Sequence, residues 1–308
     1  MEAIKVEDLV KYYKDKIAVN KFSFHVNSGE IYGLLGKNGA GKSTTIKILT
    51  TLIGYDSGNV DVLGFDPAKN GSEIRKRIGV VQQEEAFDFS TVENNFKIYG
   101  MLWEVPKEER KTRMEELIEL FDLNEIRKKR MYDLSGGQKK RVQVAREFMH
   151  DMEIFFLDEP TVGLDPIMKR KILDYVKARA KNGLTVLFTT QNLEEADYLC
   201  DRICIMNNGE KIVEGTSSEL KLKYGALRTL KIYYTSQVKP DRTKITANID
   251  PEKIVEFYIS DNEINIVSDS VEEIVNDVLQ NVKTSHITMD KIMIDTPTLD
   301  DVFMKVIK

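Results

Sequence analysis

Gly36-Lys37-Asn38-Gly39-Ala40-Gly41-Lys42-Ser43 is the stretch that decides the fold of this chain. It fits the pattern G-x-x-x-x-G-K-[ST], and its flanks supply the context that gives the pattern meaning. Upstream, Glu30-Ile31-Tyr32-Gly33-Leu34-Leu35 reads as a buried strand. Downstream, Thr44-Thr45-Ile46-Lys47-Ile48-Leu49 reads as a helix with its apolar residues mostly on one face. Gly36, Gly39 and Gly41 let successive backbone N–H groups turn inward around a phosphate without Cβ clashes. The helix start adds unpaired N–H groups and the positive end of its dipole. Lys37, Asn38, Ala40 and Thr44 complete the loop. Lys42 is placed as a mobile point charge for β- and γ-phosphates, and the Ser43 hydroxyl as a ligand for Mg²⁺.

Working outward, Ile154-Phe155-Phe156-Leu157-Asp158-Glu159-Pro160 joins four apolar residues to two acids. This describes a buried parallel strand whose C-terminal end opens on a crevice, the usual ligand location in such sheets. Taken alone it could be a solvated strand end; paired with the loop upstream, Asp158 is placed to orient Mg²⁺, directly or through water. Glu159 is placed to polarise an attacking water as general base, a role worth roughly 10²–10⁴-fold in rate. Between the two lies Leu134-Ser135-Gly136-Gly137-Gln138, followed by a helical run, Lys139-Lys140-Arg141-Val142-Gln143-Val144-Ala145-Arg146. Ser135 sits where an N-cap sits, and Gly136 and Gly137 again expose backbone N–H groups. One nucleotide site does not need two Gly-rich anion-binding corners. The second corner suggests that two chains close on ATP between them.

In this order the three elements resemble those of ATP-binding-cassette (ABC) transporter ATPases, and the resemblance covers residues 1–220. It implies an α/β fold, a P-loop NTPase of ABC type with a mixed sheet core and a helical subdomain at about residues 84–148. ATP and Mg²⁺ are the implied cofactors. The chain carries one copy of each motif, so a two-site sandwich requires a second cassette chain, with the P-loop of one facing Ser135, Gly136, Gly137 and Gln138 of the other. Asp165, in Gly163-Leu164-Asp165-Pro166, matches the turn that communicates between the two sites. Tyr13, in Lys11-Tyr12-Tyr13, resembles the aromatic that stacks on adenine, with Tyr12 the neighbouring alternative. Gln83, in Ile78-Gly79-Val80-Val81-Gln82-Gln83, resembles the glutamine that touches Mg²⁺ and reports to the membrane partner, with Gln82 beside it.

One departure is informative. Where the family often has a histidine, this chain has Gln191, in Thr189-Thr190-Gln191-Asn192-Leu193-Glu194-Glu195. An amide donates an N–H to a γ-phosphate, but it takes up no proton and becomes no cation. None of the three histidines, His25, His150 and His286, lies near this position in sequence. Sensing of the γ-phosphate is therefore expected to be neutral, with Glu159 carrying the base role. Glutamine in this slot resembles the daunorubicin-resistance-like branch of ABC exporters.

Composition bounds the rest. The 308 residues leave room for about two domains. A net charge of −5 and the lack of a basic arm argue against nucleic acid. Arg127-Lys128-Lys129-Arg130, the one tight basic cluster, reads first as a solvated helix end and second as a lipid-headgroup or partner contact. No apolar run approaches the ~18 residues that cross a bilayer, and the N-terminus shows no secretory segment. The expectation is a cytoplasmic protein, peripheral on the inner face of the cell membrane, whose pore belongs to a separate transmembrane permease subunit. Cys200 and Cys204 offer no second half of a metal site and read as core or near-surface thiols.

Residues 1–83 read as short apolar strands and turns. Pro106-Lys107-Glu108-Glu109-Arg110 opens an amphipathic helix with Met114, Leu117, Ile118 and Phe121 on one side. The resemblance implies that this subdomain grips the membrane subunit, with residues 84–89 the expected contact and Phe87 and Phe89 placed either in a partner groove or in the core. From residue 221 to 308 the pattern becomes a small α+β domain of about ninety residues. Its expected strands are Thr229–Tyr234, Ile254–Ile259, Ile264–Val267 and Ile287–Ile294, with helices at Val271–Val282 and Thr298–Ile307. Val271–Val282 is expected to serve dimer contact or edge protection. The ending from Thr296 to Phe303 resembles the tails of export-type ATPases. The resemblance thus implies the ATP-hydrolysing subunit of an exporter. The alternative is a soluble ABC ATPase acting on nucleic acid, ribosomes or cofactor assembly, which more naturally shows twin cassettes, a coiled-coil insert or a basic face.

Overall fold

β1 (Glu2–Tyr13) and β2 (Lys16–Asn27) are twelve-residue strands paired antiparallel across a two-residue turn. The expectation of short strands over residues 1–83 is corrected here. Asp8 and Lys21 take positive φ (48° and 45°) and the register shifts between Val6 and Leu9, so each long strand alternates in two short phases. The computed structural model describes residues 1–83, 90–225, 227–235, 239–295 and 297–307, and the chain divides into two units, Met1–Ser217 and Ser218–Lys308. The expected contact at residues 84–89 lies outside the described residues, as does Thr296.

In the first unit, β3 (Ile31–Leu35), β4 (Ser57–Val62), β5 (Ile78–Val81), β6 (Ile154–Asp158), β7 (Thr185–Thr190), β8 (Arg202–Asn207) and β9 (Glu210–Gly215) complete two sheets. The smaller is antiparallel, in the order β2-β1-β4; the larger is six-stranded, in the order β5-β6-β7-β3-β8-β9. Five of its strands run parallel and β9 returns antiparallel through Asn208-Gly209, both at positive φ as a tight hairpin demands. β6 is buried along its whole length, and its alternation serves two cores. Ile154 and Phe156 pack with Tyr32, Ile46 and the antiparallel sheet; Phe155 and Leu157 pack with Phe96, Leu117 and Phe148 of the helical side. Parallel pairing aligns the carboxyl ends of β3, β6 and β7, with Asp158 beside Thr189 and Leu35 beside Thr190.

The helical side comprises Val92–Leu102, Lys107–Leu120 and Gly136–Glu147. Met114, Leu117, Ile118 and Phe121 are buried together, as their spacing requires. Arg127 is not a solvated helix end: its guanidinium bonds Glu93 at 2.7 Å and both carboxylate oxygens of Glu115 at 2.6 and 2.7 Å. It ties two helices together, and it is the main reason Glu93 is held down at about 2. Cys204 is fully buried, which pushes its thiol up to about 12.

In the second unit, β10 (Arg228–Tyr234), β11 (Glu256–Ser260), β12 (Glu263–Ser268) and β13 (Met289–Asp295) form an antiparallel sheet in the order β11-β12-β10-β13. The Val271–Thr284 helix lays Val271, Ile274, Val278 and Val282 over Leu230, Ile232, Ile264 and Ile266. Two short turns of helix, Arg242–Ile245 and Pro251–Lys253, were not legible in the sequence because three or four residues carry no periodicity.

Candidate functional site

The loop that follows β3 turns into the Lys42–Leu49 helix through Gly41, whose φ of 112° belongs to glycine. A Cβ there would also stand 2.6 Å from the Ala18 carbonyl oxygen. The helix leaves its first N–H groups without intrahelical partners, and they converge where an anion belongs. The buried Lys42 ammonium donates to the carbonyl oxygens of Gly36 and Lys37, at 2.7 and 3.2 Å. Burial lowers its pKa, opposed by the carboxylates of Glu159 and Asp158.

At the end of β6, Asp158 accepts a 2.6 Å hydrogen bond from the Thr189 hydroxyl of the neighbouring strand. Glu159 is buried and has a φ of 51°, a left-handed conformation that costs a non-glycine residue about 1–2 kcal/mol. Its carboxylate is held from two sides. The Gln191 amide donates to Oε1 at 2.7 Å, and the Gln83 amide donates to Oε2 at 3.2 Å. Gln191 also donates to Asn38 of the loop at 2.8 Å, so one amide links the phosphate-binding loop to the acid.

Lys42, Asn38, Gln83 and Glu159 border a cavity of about 240 Å³ lined also by Tyr13, Lys16, Ala18, Gly39, Gly41, Ser43 and Thr44; Asp158 and Gln191 are not among its lining residues. Between the paired alternatives, Tyr13 and Gln83 line it and Tyr12 and Gln82 do not. The Tyr12 backbone N–H is instead engaged by Asp56, at 2.6 Å. Ser43 and Gln83 line the cavity and Asp158 ends the strand just before Glu159; their side-chain oxygens are hard donors of the kind Mg²⁺ takes. Among the described residues no group of three or more His, Cys, Asp or Glu side chains could hold a metal by itself. Such a sparse set fits Mg²⁺, which commonly combines few protein ligands with substrate phosphate oxygens.

Ser135, Gly136, Gly137, Gln138 and Asp165 do not line this cavity. Ser135 caps the Gly136–Glu147 helix in a full capping box with Gln138, and both Ser135 and Gly136 face solvent. Gly137 packs against the Gly163 loop so closely that a Cβ would stand 2.5 Å from the Gly163 carbonyl oxygen. Asp165 caps the next helix by accepting from the Met168 N–H at 3.0 Å. The Ser135–Gln138 segment and the Asp165 turn therefore form one exposed surface, and none of these residues lines the cavity at the phosphate loop.

Two supporting connections escaped the sequence reading. Lys140, on the helix behind Ser135, donates to the backbone oxygens of Gln82 and Gln83 at 2.9 and 3.4 Å, so that helix grips the segment carrying Gln83. Buried Glu195 accepts from the hydroxyls of Thr161 and Thr190 at 2.6 and 3.0 Å, joining the loop after Glu159 to the strand end before Gln191. The only signal available was Thr189-Thr190 at a strand end, hydroxyls that need partners when buried.

The comparisons with known proteins agree with this geometry. Residues 19–162 match the family described as ABC transporter. The linearmycin resistance ATP-binding protein LnrL of Bacillus subtilis strain 168 is 33% identical over 98% of this chain and 97% of its own length. The daunorubicin resistance ATP-binding protein DrrA3 of Streptomyces coeruleorubidus is 33% identical over 98% of this chain and 95% of its length. The Nod factor export ATP-binding protein I of Rhizobium meliloti strain 1021 is 37% identical over 75% of this chain and 69% of its length. Among solved structures, an ATP binding subunit of an ABC transporter aligns with a TM-score of 0.68 and 26% identity over 72% of this chain and 93% of that one. A dimeric ATP-binding cassette in a post-hydrolysis state, bound to ADP and Pi, aligns with a TM-score of 0.65 and 26% identity, over 69% of this chain and 98% of that one. The chain belongs to the ABC transporter family, as an ATP-binding and ATP-hydrolysing cassette subunit.

Proposed function

We propose that two copies of this chain close on two ATP molecules and drive export through a separate transmembrane permease, from the cytoplasmic face of the membrane. Among the described residues no helix is long and apolar enough to cross a membrane, and the relatives include an export protein by name. The observation that carries the reading is the division of the site. The phosphate loop, Lys42 and Glu159 share one cavity, while the second anion corner at Ser135–Gln138 is exposed elsewhere on the chain. A second cassette chain, on this reading another copy, would bring the two together.

Within that seam each residue has a task. The loop from Gly36 to Thr44 binds phosphates through its N–H groups, and Lys42 swings from the Gly36 and Lys37 oxygens to the negative charge. Tyr13 stacks on the adenine. Ser43, Asp158 and Gln83 hold Mg²⁺, which neutralises phosphate charge when bound. Glu159, already anchored by two amides, accepts a proton from water as it attacks. Gln191 fixes the direction of that carboxylate and, on releasing Asn38, turns its second N–H to the transferred phosphate. Ser135, Gly136 and Gly137 of the partner copy close the other side, and Asp165 keeps the turn next to them in register.

Complementation tests the seam. A Lys42→Ala chain and a Ser135→Arg chain each lack one half of both sites, whereas a mixed pair keeps one complete site. ATP hydrolysis is expected from the mixture and from neither chain alone. A silent mixture of two folded chains contradicts the shared site.

A further inference from the structure

β13 is an edge strand: it pairs with β10 and with no other described strand, so the outer row of its backbone groups is paired to no described strand. Its central residues are apolar and open, with Ile292 43%, Met293 37% and Ile294 41% exposed. A long apolar edge normally recruits another strand unless something blocks it. The pairing with β10 fixes which way each side chain points. Ile292 and Ile294 lie opposite the core residues Ile232 and Leu230, on the side of the Val271–Thr284 helix. Lys291, Met293 and Asp295 lie opposite Tyr233, Lys231 and Thr229, on the other face.

The sequence of this strand is complementary to itself in one register. A two-fold axis through an extended sheet keeps both helix layers on one side, so it must pass between two copies of the same residue. Centred on Ile292, the register sets Asp290 against Ile294 and Lys291 against Met293. Centred on Ile294, it sets Asp295 against Met293. Centred on Met293, it sets Lys291 against Asp295 twice and Ile292 against Ile294 twice, each with a matching partner. In the chain itself Asp295 bonds Lys231 at 2.6 Å, and the Lys291 ammonium lies 5.8 Å from the centre of the Tyr233 ring. An incoming Lys291 would thus complete a Lys–Asp–Lys run along the face. β11, the opposite edge, has no such match: its one charged residue, Glu256, would meet Ser260.

We propose that the C-terminal units of two copies join through β13, antiparallel and centred on Met293, into one eight-stranded sheet. The occupant of this edge is a second copy of the same chain. The pairing uses no residue of the nucleotide site, so it forms with or without ATP and holds two cassettes near each other between closures, raising their effective concentration. A central pair in an antiparallel ladder has Cα atoms about 4.5–5.5 Å apart, within the range a disulfide spans.

Cysteine crosslinking of the full chain reads this register. Under mild oxidation without nucleotide, Met293→Cys is expected to run as a disulfide-linked dimer on a non-reducing gel. The parent, with Cys204 buried and Cys200 only partly exposed, is expected to stay unlinked. Lys291→Cys and Asp295→Cys are each expected to stay monomeric alone and to crosslink when mixed. A folded Met293→Cys chain that stays monomeric overturns the proposal. So does a stronger crosslink from Ile292→Cys, or one that needs ATP. In a Lys42→Ala background the Met293→Cys dimer is expected to persist, so failure of ATP closure and failure of this pairing are read separately.

Discussion

The carboxyl end of β6 and the core of the C-terminal unit bury residues of opposite kinds. Around Glu159 the chain buries Lys42, Asp158, Glu159 and Glu195, and sets Glu159 itself at positive φ. Over β10 and β12 the other core is almost wholly aliphatic, with Leu230, Ile232, Ile264, Ile266 and Val278 closed against one another. Burying charge and strain is unfavourable unless every group is partnered, so they concentrate where chemistry needs them. The first region is built around orientation of a carboxylate, the second around packing alone. The same chain can be damaged in activity at one and in stability at the other.

The sharpest way to break that contrast is Glu159→Gln. Loss of the general base should slow phosphate release by roughly 10²–10⁴-fold while leaving the fold intact. A rate near the parent's would mean that the orientation of Glu159 serves no chemistry. Ile266→Ala probes the opposite region. Truncating this fully buried side chain should destabilise the C-terminal unit by about 2–5 kcal/mol, read by denaturant melting. ATP hydrolysis below the melt should stay within about twofold, as for independent sites. A collapse of hydrolysis would join the two regions.

His150 separates structural from catalytic burial. It stacks on Trp103, the single tryptophan, with ring centroids 3.9 Å apart, and burial lowers its pKa to about 4. Its folded pKa lies below the ordinary 6.5, so the native state favours the neutral ring. That contribution is complete above pH 6.5 and is lost as pH falls towards 4, by up to about 3 kcal/mol. His150→Phe should therefore flatten the fall in urea midpoint between pH 7 and pH 4.5, with Trp103 fluorescence as the signal. An unchanged slope would place the titration elsewhere. The smallest expected effect is at Gln191. Its bond to a charged carboxylate is worth about 1.5–3 kcal/mol, so Gln191→Ala should hydrolyse ATP at least about tenfold more slowly. Hydrolysis as fast as the parent's would remove Gln191 from the mechanism.

The two regions were also legible to different degrees. The phosphate loop, the Asp158-Glu159 strand end and the Ser135 cap are local: residue type and spacing within eight positions specify their backbone. The C-terminal strands and helix could be read from alternation and from an amphipathic Val271–Val282, which the structure extends to Thr284. What the sequence did not show was the partnership of distant residues. Lys140 reaches back to Gln82, Glu195 joins Thr161 to Thr190, and Arg127 bridges Glu93 and Glu115. Each pairing is set by sheet order and helix packing, which no local pattern encodes. Bulges at Asp8 and Lys21 hid the full length of β1 and β2 for the same reason, because alternation was broken where pairing continued.

The central claim is that hydrolysis happens between two copies of the chain. Retention of nucleotide by Glu159→Gln measures it most directly, since slowed hydrolysis keeps bound ATP in place long enough to count. With Mg-ATP, the account predicts two ATP trapped per pair of chains, and their loss when Ser135→Arg is added to the same chain. Retention of ATP unaffected by Ser135→Arg would contradict it.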